Sequence, residues 1–137
     1  MSEKIVYLSG AMMDCTDAEC KDWREEAKQL LNCATRDPAA LRDYRGREHE
    51  AIAEVVEEDK SDIDDCAFVL VNYIKPSVGT SMEILYAWER GKKIWVVAPR
   101  GIVLSPWLLY HSHHVFFELQ EAITDINNSN FGNSASP

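Results

Sequence analysis

Phe68-Val69-Leu70-Val71-Asn72-Tyr73, then the loop Lys75-Pro76-Ser77-Val78-Gly79-Thr80-Ser81-Met82-Glu83, then Ile84-Leu85-Tyr86-Ala87-Trp88, decides how this chain is read. An apolar, β-branched run without polar alternation suits a strand buried on both faces, and the Pro/Gly loop ends it. The apolar residues that follow predict a helix, with Glu83 in its first turns. In an open α/β sheet, ligands bind in the crevice beyond the carboxyl ends of the strands. An acid at the electropositive start of a helix there is expected to stay ionised and to point at a substrate. The plainer alternative is that Glu83 only complements the helix dipole.

Working outward, a first strand is expected over about Lys4 to Ser9, ending at Gly10. Thr16-Asp17-Ala18-Glu19 has capping-box spacing, and the helix after it carries Trp23, Ala27, Leu30 and Leu31 at helical intervals. A charged connection through Asp37-Pro38 and Tyr44-Arg45-Gly46 leads to a second helical stretch, about Glu48 to Asp64. Its apolar stripe is Ile52, Val55, Val56 and Ile63. After the Phe68 strand and the Glu83 helix, which stops near Gly91, comes a buried-type strand, Ile94-Trp95-Val96-Val97-Ala98. A short strand at Val115-Phe116-Phe117 and a helix through about Ile126 complete the order. Strands alternating with helices imply an α/β, three-layer sandwich around a parallel sheet. The division expected is one catalytic domain over 1–126 and a flexible Asn/Ser/Gly-rich tail over 127–137.

Composition limits the classes of function. With 137 residues, 46% hydrophobic and 27% charged, the chain is a single globular unit able to bury a core. No stretch reaches the roughly 20 apolar residues of a membrane span. Met1-Ser2-Glu3-Lys4 lacks a signal-peptide layout, so a cytoplasmic protein is expected. Cys15, Cys20, Cys33 and Cys66 form no CxxC pair and read as reduced thiols. A net charge of −9 argues against a nucleic acid polymer as partner but allows a small phosphorylated ligand in a local pocket. Absence of GxGxxG and GxxxxGK[ST] disfavours an NAD or phosphoryl-transfer site.

Tyr7 with Gly10 after the first strand, Asp59 in the helix before the Phe68 strand, and the Pro-Ser-x-Gly-x-x-x-Glu arrangement ending at Glu83 resemble the nucleoside 2-deoxyribosyltransferase superfamily. The likeness spans nearly the whole chain up to Ile126. It implies a flavodoxin-like (Rossmann-like) sheet, cleavage of a nucleoside or nucleotide N-glycosidic bond, no metal or organic cofactor, and a homo-oligomer whose pocket a neighbouring subunit completes. Glu83 would be the nucleophile, Tyr7 the hydroxyl that orients it, and Asp59 the acid that helps the base depart. Gly10 and Gly79 would let backbone approach the sugar. Without the resemblance, Asp59 sits in an acidic run from Glu57 to Asp65 that reads as a solvated helix face, and Tyr7 as an ordinary strand tyrosine.

The chemistry explains these residue types. A carboxylate opposite the base can capture an oxocarbenium-like sugar, and a second carboxyl with a raised pKa can protonate the departing base. Transferases acting on free nucleosides carry an acid where Ser77 stands and a neighbouring-subunit amide where Ser105 stands. The 2′-deoxynucleoside 5′-monophosphate N-hydrolases resemble this chain at both places. Hydroxyl and backbone donors suit a phosphate, whereas an acid there would repel it. Gly10-Ala11 departs from the hydrolases, which have Gly-Ser. The resemblance therefore leaves hydrolysis of deoxynucleoside monophosphates and base exchange on free deoxynucleosides both open, with a ribonucleotide substrate also allowed. A non-catalytic nucleotide-binding module is the competing class. His111, His113 and His114 lack the partners of a metal site. Trp107, Tyr110 and His111 are expected to roof a neighbour's pocket; Arg36, Asp37, Arg42 and Arg45 lie where the family contacts the base; Lys75 is a candidate phosphate neighbour or an exposed side chain.

Overall fold

The computed structural model describes residues 4–131. Five strands, β1 (Ile5–Gly10), β2 (Ala34–Arg36), β3 (Phe68–Asn72), β4 (Lys93–Val97) and β5 (His114–Phe116), form one parallel sheet in the order β2-β1-β3-β4-β5. The helices are α1 (Asp17–Leu30), α2 (Pro38–Leu41), α3 (Ile52–Asp65), α4 (Val78–Glu89), α5 (Pro106–Tyr110) and α6 (Leu119–Ile126). This is the flavodoxin-like strand order, whose switch point falls between β1 and β3.

The period of two along each strand sorts the core into two layers. Val6, Leu8, Phe68, Leu70, Trp95 and Val97 face Trp23 and Ala27 of α1 and Ala122, Ile123 and Ile126 of α6. Tyr7, Val69, Val71, Ile94 and Val96 face Ile63 of α3 and Ile84 and Ala87 of α4. Every residue of β3 is buried, as expected for a central strand covered on both faces. Alternation therefore puts Tyr7 and Ser9 together on the α3–α4 side. Burying the apolar residues of β3, Phe68 to Val71, is a main source of stability, at roughly 25 cal/mol per Å² removed from water.

The boundaries of α1 follow from its caps. Thr16 accepts from the Glu19 amide at 3.1 Å and Glu19 returns the bond to the Thr16 amide at 3.0 Å, a complete capping box. Asp37 caps α2 by accepting from the Ala39 amide at 2.9 Å, with Pro38 at the first helical position.

Several sequence expectations are corrected. β2 and α2, inside the stretch read as a charged connection, are too short to show periodicity. The helix expected from Glu48 is a 3₁₀ turn, Glu48–Glu50, and α3 starts only at Ile52 after the non-helical Ala51. Leu30, Ile52 and Val56, placed on apolar stripes, are exposed. β5 runs one residue earlier than expected, leaving Phe117 exposed. The tail expected from residue 127 begins as packed structure: Asn127 donates to the Leu30 carbonyl at 3.0 Å and accepts from the Asn32 amide at 2.9 Å. Residues 1–3, read for a signal peptide, and 132–137 lie outside the described residues. Among the described residues no helix is long and apolar enough to cross a membrane.

Gly10 closes β1 against α1. A Cβ there would stand 2.8 Å from the Trp23 ring and 3.2 Å from the Asn72 carbonyl, so the indole and β3 leave no room for a side chain. Gly10→Ala is expected to lower unfolding free energy by about 1–3 kcal/mol in urea titrations through overpacking. Wild-type stability in that variant would contradict this account of the β1–α1 junction.

Candidate active site

Four elements build the site at the β1/β3 switch point. β1 supplies Tyr7 and Ser9, both fully buried. The loop after β3 turns into α4, with Ser77 as its N-cap: the hydroxyl accepts from the Thr80 amide at 3.2 Å and donates to the Thr80 hydroxyl at 2.9 Å. α4 then carries Glu83, six residues after that cap, in the second turn. α3 brings Asp59 from the other side.

Glu83 is the meeting point. Tyr7 donates its hydroxyl to Glu83 Oε2 at 3.0 Å, and Ser9 donates to Oε1 at 2.6 Å. The Asp59 carboxyl lies within hydrogen-bonding reach of Glu83. Desolvation, then the charge of Asp59, pushes Glu83 up to about 8, against the hydroxyl bonds that favour its anion. Burial likewise raises Asp59, opposed by its bond to Glu83 and by Arg42. Burial and the two carboxylates hold the Tyr7 phenol well above its ordinary range, so it remains a donor. The expectation that the helix start would keep Glu83 ionised is thus corrected: in the second turn, a neighbouring carboxyl and loss of water outweigh the dipole.

These residues open into a cavity of about 360 Å³ lined by Gly10, Ser77, Gly79, Arg42, Asp59 and Glu83, among others. Tyr7, Asp59 and Glu83, far apart in sequence, therefore converge, and Gly10, Ser77 and Gly79 border the same space. The room at Gly10 is taken by Trp23, while a Cβ on Gly79 would meet nothing within 4 Å. Neither glycine is required by a positive φ. Ser105 stands elsewhere: it caps α5 and lines a separate groove of about 510 Å³ with Trp107, Leu108 and Val103. In this single chain it does not reach the Glu83 cavity. The two spaces share only Pro76.

The charged residues of the first connection are engaged. Arg36 pairs with Asp62 and Asp65 at 3.0 and 3.1 Å. Asp37 is buried against Arg24 at 3.3 Å and Lys28 at 2.7 Å. Arg24, itself buried, donates to the Gly10 carbonyl at 3.2 Å and so ties the end of β1 to the start of α2. Lys75 pairs with Glu19 at 3.3 Å and donates to the Asp14 carbonyl. His113 Nδ1 accepts from the Ile94 amide at 2.9 Å, and His111 Nδ1 bonds the Trp107 carbonyl at 2.7 Å. Among the described residues no group of His, Cys, Asp and Glu is arranged to hold a metal ion. The four cysteines are free thiols.

Sequence reasoning missed Ser9 and the link from Arg42 to Asp59 (3.4 Å). The signal for Ser9 was present, since in a strand it must share the face of Tyr7 two residues before it. The resemblance already placed Arg42 near the base, but nothing local pointed to its link with Asp59, because its partners come from the next helix.

No protein-family model and no curated protein sequence matches the chain. Solved structures do. The 2-deoxyribosyltransferase of Bacillus psychrosaccharolyticus is similar with a TM-score of 0.72 at 17% identity, covering 94% of each chain. The CMP N-glycosidase of Clostridium botulinum gives 0.61 at 19% identity over 90% of this chain and 99% of that one. A conserved protein from Enterococcus faecalis V583 gives 0.69 at 10% identity over 94% and 100%. The chain thus has the fold of the nucleoside 2-deoxyribosyltransferases.

The raised carboxyl pair carries a sign that can be checked. The folded protein keeps a proton that unfolded Glu83 loses near 4.5, so unfolding free energy falls as pH climbs from that value to about 8. Glu83→Gln is expected to flatten this slope and to melt above wild type at pH 9. Parallel melting curves for the two proteins between pH 5 and 9 would contradict it.

Proposed function

We propose that the protein cleaves the N-glycosidic bond of 2′-deoxynucleoside 5′-monophosphates, releasing the free base and deoxyribose 5-phosphate. The observation that carries the reading is the convergence of Tyr7, Ser9 and Asp59 on one partly buried carboxyl at the switch point. A protein that only binds a nucleotide has no use for a desolvated, paired carboxylate beneath the sugar. The fold shared with a deoxyribosyltransferase and a CMP N-glycosidase supports the same class of chemistry.

In the proposed reaction the pair holds one proton. At rest burial keeps it on Glu83; for reaction it passes to Asp59, and the Tyr7 and Ser9 hydroxyls then hold the Glu83 anion. The Glu83 carboxylate attacks C1′ from the face opposite the base. The C1′–N bond breaks with its electron pair passing to the base, and Asp59 delivers its proton to a ring nitrogen. Water, losing a proton to the Asp59 carboxylate, then attacks C1′ and frees Glu83. Interception of the glycosyl ester by a second base instead of water makes the same site a transferase.

The start of α4 supports a 5′-phosphate. Amides in a helix's first turn lack intrahelical partners and attract anions, and Val78 and Gly79 border the cavity there with Ser77. At about 1.5 Å rise per residue, they lie roughly 6–7.5 Å along the helix from Glu83, close to the span from C1′ to a 5′-phosphate. A second copy of the chain is the proposed partner. Val103, Trp107 and Tyr110, 93%, 73% and 70% exposed, are apolar side chains on α5 and just before it, and docking there can bring Ser105 of one copy toward the site of the other.

Incubation with each dNMP, NMP and deoxynucleoside, with and without acceptor base, is expected to release free base from deoxynucleoside monophosphates. Glu83→Ala should lower kcat/KM by about 10³-fold or more with nucleotide affinity retained, and Asp59→Asn by about 10²–10⁴-fold. Base release from none of these substrates contradicts both hydrolysis and transfer. Faster exchange than hydrolysis on unphosphorylated deoxynucleosides favours the transferase.

A further inference from the structure

Within the proposed glycosidic site, the two arginines that border the cavity differ in one respect. Arg45 commits every guanidinium nitrogen to protein: Nε to Asp43 at 3.0 Å, Nη2 to Asp17 and Asp43 at 2.7 and 2.8 Å, and Nη1 to the Cys15 carbonyl at 3.4 Å. Arg42 does not. Its Nε pairs with Glu58 at 3.0 Å, and its Nη2 lies between Asp59, at 3.4 Å, and Asp62. Arg42 Nη1 has no hydrogen-bond partner among the described residues.

The guanidinium is held firmly. Glu58, Asp59 and Asp62 come from adjacent turns of α3, and buried Asp62 is fixed in turn by Arg36 at 3.0 Å. A planar donor immobilised in this way loses little further freedom when it binds a ligand. It also stands against the carboxyl proposed to protonate the base.

We infer that Arg42 reads the base, a proposal that rests on the glycosidic reading of the site. Once the shared proton has passed from Glu83 to Asp59, Asp59 offers one donor and the uncommitted nitrogen of Arg42, which borders the same cavity, a second. The complementary base edge carries two neighbouring acceptors: a protonatable ring nitrogen flanked by a keto oxygen. Guanine and hypoxanthine present this as N7 and O6, and cytosine as N3 and O2. Adenine places an amino group beside N7, and thymine carries a proton on N3, so each meets a donor with a donor. In the reaction the Asp59 proton passes to the ring nitrogen, the C1′–N electron pair enters the ring, and Arg42 holds the keto oxygen on which the departing charge gathers. The substrate class is therefore the 6-oxopurine and cytosine nucleotides.

The test compares dIMP with dAMP and dCMP with dTMP in turnover by wild type, Arg42→Met and Arg42→Lys. It also compares binding to wild type of the carbocyclic analogues of dIMP and dAMP, which lack the ring oxygen and resist cleavage. In wild type the keto member of each pair is expected to lead by about tenfold or more in kcat/KM, with the same order in analogue affinity. Both variants should bring the dIMP to dAMP ratio toward one, Lys failing because it lacks the planar fork. Equal wild-type use of dIMP and dAMP, or an unchanged ratio in a folded Arg42→Met, overturns the assignment; the wild-type ratios decide even if a variant does not fold. Preserved ranking of the analogues with no turnover of any nucleotide would sink the enzymatic reading and leave the role of Arg42 standing.

Discussion

Two partly buried carboxyl groups within hydrogen-bonding reach of each other resist ionising together. That constraint organises the site of this protein. Like charges at such range repel strongly where water cannot screen them, so a proton is retained and Asp59 and Glu83 share it. The surroundings divide the roles. Tyr7 and Ser9 spend their hydroxyls on Glu83, while Asp59 meets Arg42 at the longer distance of 3.4 Å. Moving the shared proton to Asp59 leaves one carboxyl as an anion and the other as an acid, the division that the proposed glycosidic cleavage requires.

The fold makes this pairing possible at modest cost. A switch point separates the paths leaving β1 and β3 and opens a crevice at their carboxyl ends. The central strands are buried on both sides, and Tyr7 reaches Glu83 from within the α3–α4 core layer while Ser9 does so nearer the carboxyl end of β1. Rigidity comes from ordinary packing and pairing around them: Trp23 closes on Gly10, and buried Arg24 joins the Gly10 carbonyl to Asp37 at the start of α2. α2 in turn leads directly to Arg42. A buried pair such as Arg24–Asp37 adds little net stability against an apolar equivalent, but losing either partner strands a charge. Its contribution here is to register the two walls of the cavity.

Much of this was legible in the sequence, and the reasons differ by element. The apolar β3 run, the Thr16 capping box and the strand-loop-helix around Glu83 carry strong local signals, and each forms as read. β2 and α2, of 3 and 4 residues, are shorter than any period that could reveal them. The apolar residues Ile52 and Val56 of α3 suggested a buried stripe, yet they are exposed, because an isolated chain's pattern does not say which surface covers it. Glu83 was recognisable as a special acid, but its raised pKa was not, since that depends on Asp59 arriving from another helix. Ser9 was readable from strand alternation; the pairing of Arg42 was not, as its partners Glu58, Asp59 and Asp62 become neighbours only in the folded chain.

The shared proton is the central claim, and carbon-13 NMR of the side-chain carboxyls of Glu83 and Asp59 tests it most directly. With assignments from Glu83→Gln and Asp59→Asn, the pair is predicted to titrate in two separated steps. The second should fall well above the ordinary glutamate range, near the value of about 8 set by burial and by Asp59. Independent titration of both carboxyls below pH 5 would contradict the account.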